Sequence, residues 1–268
     1  MKAGARLSMV PLAPGGLQVW RCALDDPLPA NGGLEDRLSI EEISRAERFR
    51  FEPDRHRFLL RRIVLREILG AYLDLDPTAI AIERDPRGKP HLPARAARGL
   101  EFNTSRAGEV GLIVVAGGLS VGVDIARVAT ATTWREAAAL ALNARELAWV
   151  ASLPIDLQDD AFYALWTRKE AVAKAAGMGL QVDPPSLIVP VLPGTRGWLP
   201  VRPPTDGGEE PMTLTDLDAG PGYRACLAVN ARLVGEAPGI LTWTPSWLLH
   251  RTGRIEPAAP ACERIGSG

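Results

Sequence analysis

Lysine is nearly missing from this chain: of 31 basic residues only Lys2, Lys89, Lys169 and Lys174 are lysines, the remainder being arginine. In an Ala-, Gly- and Pro-rich composition such a bias makes each surviving lysine a candidate for work that permanently charged arginine cannot do, proton transfer above all. Cysteine and histidine are equally sparse, three of each. Cys22, Cys226 and Cys262 are odd in number and lack metal-ligand spacing, which argues against both a disulfide framework and a zinc enzyme. Excess charge is absent too. A formal net charge of −1 supplies no global field toward nucleic acid or an anionic membrane, so any phosphate must be bound by a local cluster. No apolar run approaches the roughly 20 residues that span a bilayer. The opening MKAGARLSMVPLAPGG has no hydrophobic stretch leading to a small-residue cleavage site. These absences lead us to expect a cytoplasmic protein that binds neither nucleic acid nor membrane.

What is present is ample for a core: 268 residues, 46% hydrophobic and 24% charged, enough for one large domain or two of roughly 110–140 residues. Residues 17–24 alternate as a strand. Ser39-Ile-Glu-Glu42 is a capping-box pattern that opens a polar helix to about Phe51. Pro53 suits the first turn of a second helix reaching about Leu73, with Leu59, Ile63 and Leu60, Val64, Ile68 as its i/i+4 apolar stripe. Residues 79–84 read as a short strand, Asp85–Pro90 as a tight turn and 100–103 as a strand entry. The apolar runs Val110–Ala116 and Leu119–Ala126, separated by Gly117-Gly118, predict a hairpin on a primed two-residue turn. Residues 133–152 read as helix, interrupted near Asn143 where Glu146 completes a cap, and 160–177 as a helix stopped by Gly177 and Gly179. Leu187–Leu192, Thr213–Leu217, Tyr223–Val229 and Ile240–Trp243 are candidate strands, and 193–211 loops. Both halves run from helices into strands. We therefore expect an α+β chain of two similar lobes, 1–117 and 118–250, with a frayed tail at 251–268.

Four segments concentrate chemistry. Eight arginines (45, 48, 50, 55, 57, 61, 62 and 66) span the two N-terminal helices. A solvated face interleaved with carboxylates is their bland reading; an anion site is the functional one, since guanidinium forks match phosphate oxygens. Arg87-Gly-Lys-Pro90 is a turn whose rare Lys89 would reach a phosphate. Phe102-Asn-Thr-Ser-Arg106 offers hydroxyl and backbone N–H donors near a Gly, or simply an ordinary loop. In Gly122-Val-Asp-Ile125 a carboxylate interrupts an apolar strand, where it is costly unless paired or metal-bound. In Trp166-Thr-Arg-Lys-Glu170, Glu170 shares a helix face with Trp166 and Lys174, either as a plain i,i+4 ion pair or as a site.

In order and spacing these pieces resemble the surfactin-type (Sfp-type) 4′-phosphopantetheinyl transferase family from about Ile40 to Val229. Arg-Gly-Lys-Pro (87–90), Phe-Asn-Thr-Ser (102–105), Val-Gly-Val-Asp-Ile (121–125) and Trp-Thr-Arg-Lys-Glu-Ala-Val-Ala-Lys-Ala (166–175) carry the match, with Gly177 and Gly179-Leu180 after them. The resemblance implies two pseudo-two-fold α/β lobes with coenzyme A between them. It implies transfer of the phosphopantetheine arm to a serine of an acyl or peptidyl carrier protein in polyketide, peptide or fatty-acid assembly, releasing 3′,5′-ADP. Asp124 and Glu170 would hold Mg²⁺, Glu170 would serve as base, and Lys174 would steady the leaving phosphate. Lys89, Ser105 and Arg45 would grip the 3′-phosphate region, with carrier recognition near 126–150 and no partner subunit required. Two positions depart from the family pattern. Arg106 stands where His is usual, keeping a phosphate donor but no exchangeable proton; Ala126 stands where a second acid is common, a loss that a water ligand can cover. They leave two other readings open: a related enzyme acting on another CoA-like or phosphorylated ligand, and a silent carrier-binding module.

Overall fold

Two four-stranded sheets meeting at their edge strands carry the architecture, seen in a computed structural model that describes residues 12–28, 33, 37–129, 133–178, 182–191, 197–202 and 211–243. Strand β1 (Leu17–Ala23) is followed by helices α1 (Ile40–Ala46) and α2 (Glu52–Leu73). The short strands β2 (Glu83–Arg84) and β3 (Pro90–His91), helix α3 (Ala94–Ala97) and strands β4 (Leu100–Ala107) and β5 (Val110–Gly117) come next. Then follow β6 (Val121–Arg127), α4 (Thr133–Ala141), α5 (Ala144–Ser152), α6 (Ile155–Ala175), β7 (Leu199–Val201), β8 (Met212–Leu217), β9 (Tyr223–Val229) and β10 (Ile240–Trp243). The first sheet has the order β10-β1-β5-β4 and the second β6-β9-β8-β7. Among the described residues no helix is long and apolar enough to cross a membrane.

The capping signals act locally, as expected. Ser39 caps α1 in a full box with Glu42, and Asn143 caps α5 in a box with Glu146, which separates α4 from α5. Both stripes of α2 find partners. Leu60, Val64 and Ile68 pack with Trp20, Phe102, Ile113 and Val115 of the first sheet. Leu59 and Ile63 pack with Leu38, Ala46 and Phe58 beneath α1. Each such buried aliphatic side chain contributes about 1.5–3 kcal/mol.

The expected hairpin across Gly117-Gly118 does not form. β5 lies between β1 and β4 in the first sheet and β6 pairs with β9 in the second, so this Gly-Gly segment joins the two sheets. The hairpin instead joins β4 to β5, where Ala107 and Val110 pair across Gly108-Glu109. Continuous burial is the reason. Every residue of β5 is buried, with Ile113 and Val115 facing α2 while Val110, Leu112, Val114 and Ala116 face the other sheet. A strand covered on both faces carries no alternation that would reveal its neighbour.

The strand Ile240–Trp243, expected in the second lobe, lies parallel to β1 in the first sheet. Of the expected strand at 79–84 only the two residues of β2 form; Ala79 ends a 3-10 turn that begins at Pro77, and 80–82 are irregular. Residues 187–191 form no strand, and β7 arises inside a segment expected to be loop. The helix expected from 160 begins at Ile155. Gly179, Leu180 and the tail at 251–268 lie outside the described residues.

The interior of β6 positions the site. Val121, Val123 and Ile125 enter the core between the sheets with Leu227 and Val229. The period of 2 therefore turns Gly122 and Asp124 to the opposite face, where α6 lies: a Cβ on Gly122 would fall 2.1 Å from the Ala171 carbonyl oxygen and 2.4 Å from the Ala175 nitrogen. Only glycine permits so close an approach of helix to strand.

Candidate active site

Asp124 is 6% exposed in an otherwise apolar strand, a position that requires partners. It has two. Lys174 Nζ lies 2.6 Å from its Oδ1, and the Ser105 hydroxyl donates to the same oxygen at 2.7 Å. Lys174 also reaches the Val123 carbonyl at 3.1 Å and Ser105 Oγ at 3.3 Å. Three residues expected from three separate motifs thus form one cluster where β4, β6 and α6 meet. Asn103 fastens the strands just beside it, its side-chain oxygen accepting the Val123 N–H at 3.1 Å.

One turn before Lys174, Glu170 is half-buried and lines a cleft of about 880 Å³ together with Trp166 and Lys174. The expected shared helix face is therefore real. Burial pushes the Glu170 carboxyl above the ordinary glutamate range; the Asp124 charge pushes the same way and Lys174 opposes both. Two carboxylates that repel one another at the edge of a cleft favour a cation between them.

Cations from α2, β2 and the β2–β3 turn line the same cleft: Arg61, Arg62, Arg84, Arg87 and Lys89. The turn bearing the last two is built by Asp85, whose Oδ1 accepts from the backbone N–H groups of Arg87 at 2.9 Å and Lys89 at 2.8 Å, with Gly88 at φ 85°. Lys89 Nζ donates to the Lys174 carbonyl at 2.9 Å and Arg87 to the Gly177 carbonyl at 2.7 Å. Two cations of this turn thus bind carbonyls at and just past the C-terminal end of the helix carrying Glu170, where the helix dipole favours positive charge. Burial lowers the Lys89 pKa, partly opposed by Glu101 and Asp85.

The arginine-rich stretch divides into two kinds. Arg62 and Arg66 both bind the Glu42 carboxylate, Arg66 at 2.7 Å; Arg57 pairs with Asp25 at 2.7 Å and Arg55 with Glu52 at 3.1 Å. These are structural pairs. Arg61 differs: its Nε is buried without a hydrogen-bond partner among the described residues. Burial and the charges of Arg62, Arg106 and Arg45 lower its pKa to about 10. Three neighbouring positive charges and an unpartnered buried Nε suit Arg61 to an anion. No local signal separates Arg61 from its neighbours: Arg62 and Arg66 equally lack a carboxylate at i±3 or i±4, and they find theirs in Glu42 on another helix. Arg45 stacks 5.5 Å above the Phe58 ring and lies beside a smaller cavity with Arg48 and Phe49. Arg106 is exposed on β4, and Ala126 is half-buried on β6 opposite Arg224.

Mg²⁺ fits the donors present. Among the described residues no three His, Cys, Asp or Glu groups gather as a protein-only metal site. Mg²⁺, however, commonly takes one or two carboxylates and completes its octahedron with water and substrate phosphate. Glu170 lines the cleft and Asp124, buried beside Lys174, is coupled to it by charge; these are the two carboxylates that could take that part.

Residues 120–207 match the 4′-phosphopantetheinyl transferase superfamily, and residues 34–118 match 4′-phosphopantetheinyl transferase, N-terminal. The 4′-phosphopantetheinyl transferase HetI of Nostoc sp. is 35% identical over 165 residues, 61% of this chain and 70% of HetI. The Synechocystis sp. protein slr0495 is 35% identical over 163 residues, 61% of this chain and 65% of its own length. The 4′-phosphopantetheinyl transferase Sfp of Bacillus subtilis strain 168 is 26% identical over 210 residues, 78% of this chain and 90% of Sfp.

Proposed function

The chain belongs to the 4′-phosphopantetheinyl transferase superfamily, and we propose that it transfers the phosphopantetheine arm of coenzyme A to a serine of an acyl or peptidyl carrier protein. The observation that carries the assignment of residues is the Asp124–Ser105–Lys174 cluster beside Glu170, at the edge of a cleft whose other wall is cationic. In this reading the enzyme is of the surfactin type, works as a cytoplasmic monomer, and divides into its lobes near Gly117–Gly118. One chain supplies both walls of the cleft, which supports the monomer.

The carrier serine oxygen attacks the phosphorus bearing the pantetheine arm. Its proton passes to Glu170, directly or through water, and the bond to the other phosphate breaks to release 3′,5′-ADP. A carboxyl lifted by burial and by a neighbouring charge is a better base near neutral pH than an ordinary glutamate. Lys174 faces the negative charge that builds on the departing phosphate. Asp124 and Glu170 would hold Mg²⁺, which when bound supplies positive charge to the diphosphate. Phosphoryl chemistry of this kind rests on positioning and charge, and both are present. Lys89, Ser105, Arg45 and Arg106 attend the 3′-phosphate region, joined by Arg61. Lys89 spends one of its three N–H donors on the Lys174 carbonyl and has two to offer.

The test is incubation with coenzyme A, Mg²⁺ and a panel of apo carrier proteins, reading the mass gain of the phosphopantetheine arm. We expect modification by the wild type and none by Glu170→Gln or Asp124→Asn. Absence of modification on every carrier, with coenzyme A still bound, would leave a silent binding module instead.

A further inference from the structure

Lys169 precedes the base on α6 and lies at the wall of the same cleft. It is 1% exposed, and its ammonium has three acceptors for its three N–H groups: Glu146 Oε2 at 2.8 Å, the Pro184 carbonyl at 2.8 Å and the Leu187 carbonyl at 2.5 Å. They come from two distant pieces of chain, α5 and the turn at Pro184–Leu187. Glu146 is the capping-box residue of α5, and its Oε2 also accepts the Asn143 N–H at 3.0 Å. Pro184 and Leu187 flank a 3-10 turn, and both line the cleft.

We propose that Lys169 is a positioning residue whose ammonium holds the Pro184–Leu187 wall against α6 and so sets the width of the coenzyme A cleft opposite the arginines. This rests on the function proposed above. Residues 187–191 form no strand, so no sheet ladder holds this wall; Val189 anchors it in the core, and the Pro184 and Leu187 carbonyls at its cleft end are both satisfied by the one Lys169 side chain. Glu146 completes the device, since its carboxylate keeps the buried ammonium charged and ties it to the start of α5. The next residue back, Arg168, binds Asp216 through both oxygens at 2.8 and 2.5 Å and the Pro190 carbonyl at 2.6 Å. Arg168 pins the far end of the same segment; Lys169 pins the end that faces ligand. Methionine would match the volume of Lys169 but donate nothing.

Lys169→Met alone strands a buried carboxylate and can fail to fold, so the deciding variant is Lys169→Met with Glu146→Gln, which removes both charges and keeps an acceptor for the Asn143 N–H. Two quantities are read on the full chain: the KM for coenzyme A against kcat, and amide hydrogen exchange across residues 182–191. We expect a folded protein with exchange in that segment faster by at least about tenfold. We also expect KM for coenzyme A to rise about tenfold to a hundredfold, the scale of a 1 Å misplacement, with KM for the carrier unmoved. A merely structural pair would leave both quantities at wild-type values once the charges are gone, and that result overturns the proposal; so does faster exchange with an unchanged KM. Should the wild type neither bind coenzyme A nor modify a carrier, the transferase reading fails by itself. Exchange then decides the clamp alone: unchanged protection of 182–191 overturns it and lost protection upholds it.

Discussion

Gly122→Ala puts the helix–strand contact under a direct load. The new methyl carbon would lie 2.1 Å from the Ala171 oxygen, 2.4 Å from the Ala175 nitrogen and 2.8 Å from Lys174 Cβ, where ordinary contact begins near 3.4 Å. Two of these obstacles are backbone, so no side chain can rotate away. α6 must retreat from β6 by roughly 1 Å, an overpacking that costs about 1–3 kcal/mol. At about 2–4 °C per kcal/mol for a chain of this size, the melting temperature falls by several degrees. The retreat also carries Lys174 and Glu170 away from Asp124, stretching a contact now at 2.6 Å. Misplacement of that size lowers kcat/KM by roughly a hundredfold. Calorimetry and a carrier-modification time course measure the two effects. Gly118→Ala is the control: its φ of 71° makes alanine strained, but nothing lies within 4 Å of the added carbon, so stability drops while kcat holds. A Gly122→Ala protein with wild-type melting and turnover would show that α6 does not bear on β6 as described and would refute this account of why the site needs glycine.

Glu170→Gln is expected to abolish transfer and yet stabilise the protein near neutral pH. Folding raises the Glu170 pKa, so folding favours the protonated form; its contribution is complete below the ordinary glutamate range and lost as pH rises through the raised value. The melting-temperature gain of the variant should therefore be present at pH 7 and vanish by about pH 4. Lys174→Met leaves Asp124 with Ser105 alone. Because the lysine side chain is 28% exposed and the aspartate 9%, we expect a loss of about 1–3 kcal/mol, smaller than for a wholly buried pair. Adding Asp124→Asn should recover most of that stability and none of the activity, as denaturant melts and mass spectrometry would record. Arg61→Met removes a cation crowded by Arg62, Arg106 and Arg45. Melting temperature should hold or rise while calorimetric affinity for 3′,5′-ADP falls about tenfold; unchanged affinity would remove Arg61 from the anion site.

Local signals in the chain determined what lies within a turn or two of itself. Ser39 with Glu42 and Asn143 with Glu146 start α1 and α5 because a capping box closes over three residues. The 3.6-residue stripe places Trp166, Glu170 and Lys174 on one face of α6 with no help from the rest of the fold. The order of the motifs pointed to Asp124, Glu170 and Lys174 before their spatial neighbours were known. Tertiary structure decided which strand neighbours which. β5 is apolar on both faces, so its sequence could not reveal that it pairs backward through Gly108-Glu109 rather than forward through Gly117-Gly118. It decided that β10 returns to β1, a pairing of residues more than 200 apart. It also decided charge partnership. Of eight similar arginines, Arg62 and Arg66 meet Glu42 and Arg61 meets no carboxylate among the described residues, and of two lysines five residues apart Lys174 meets Asp124 while Lys169 is enclosed by Glu146 and two carbonyls. Residue type states what a side chain can bind; only the folded chain brings the partner within 3 Å, because that partner comes from a distant segment.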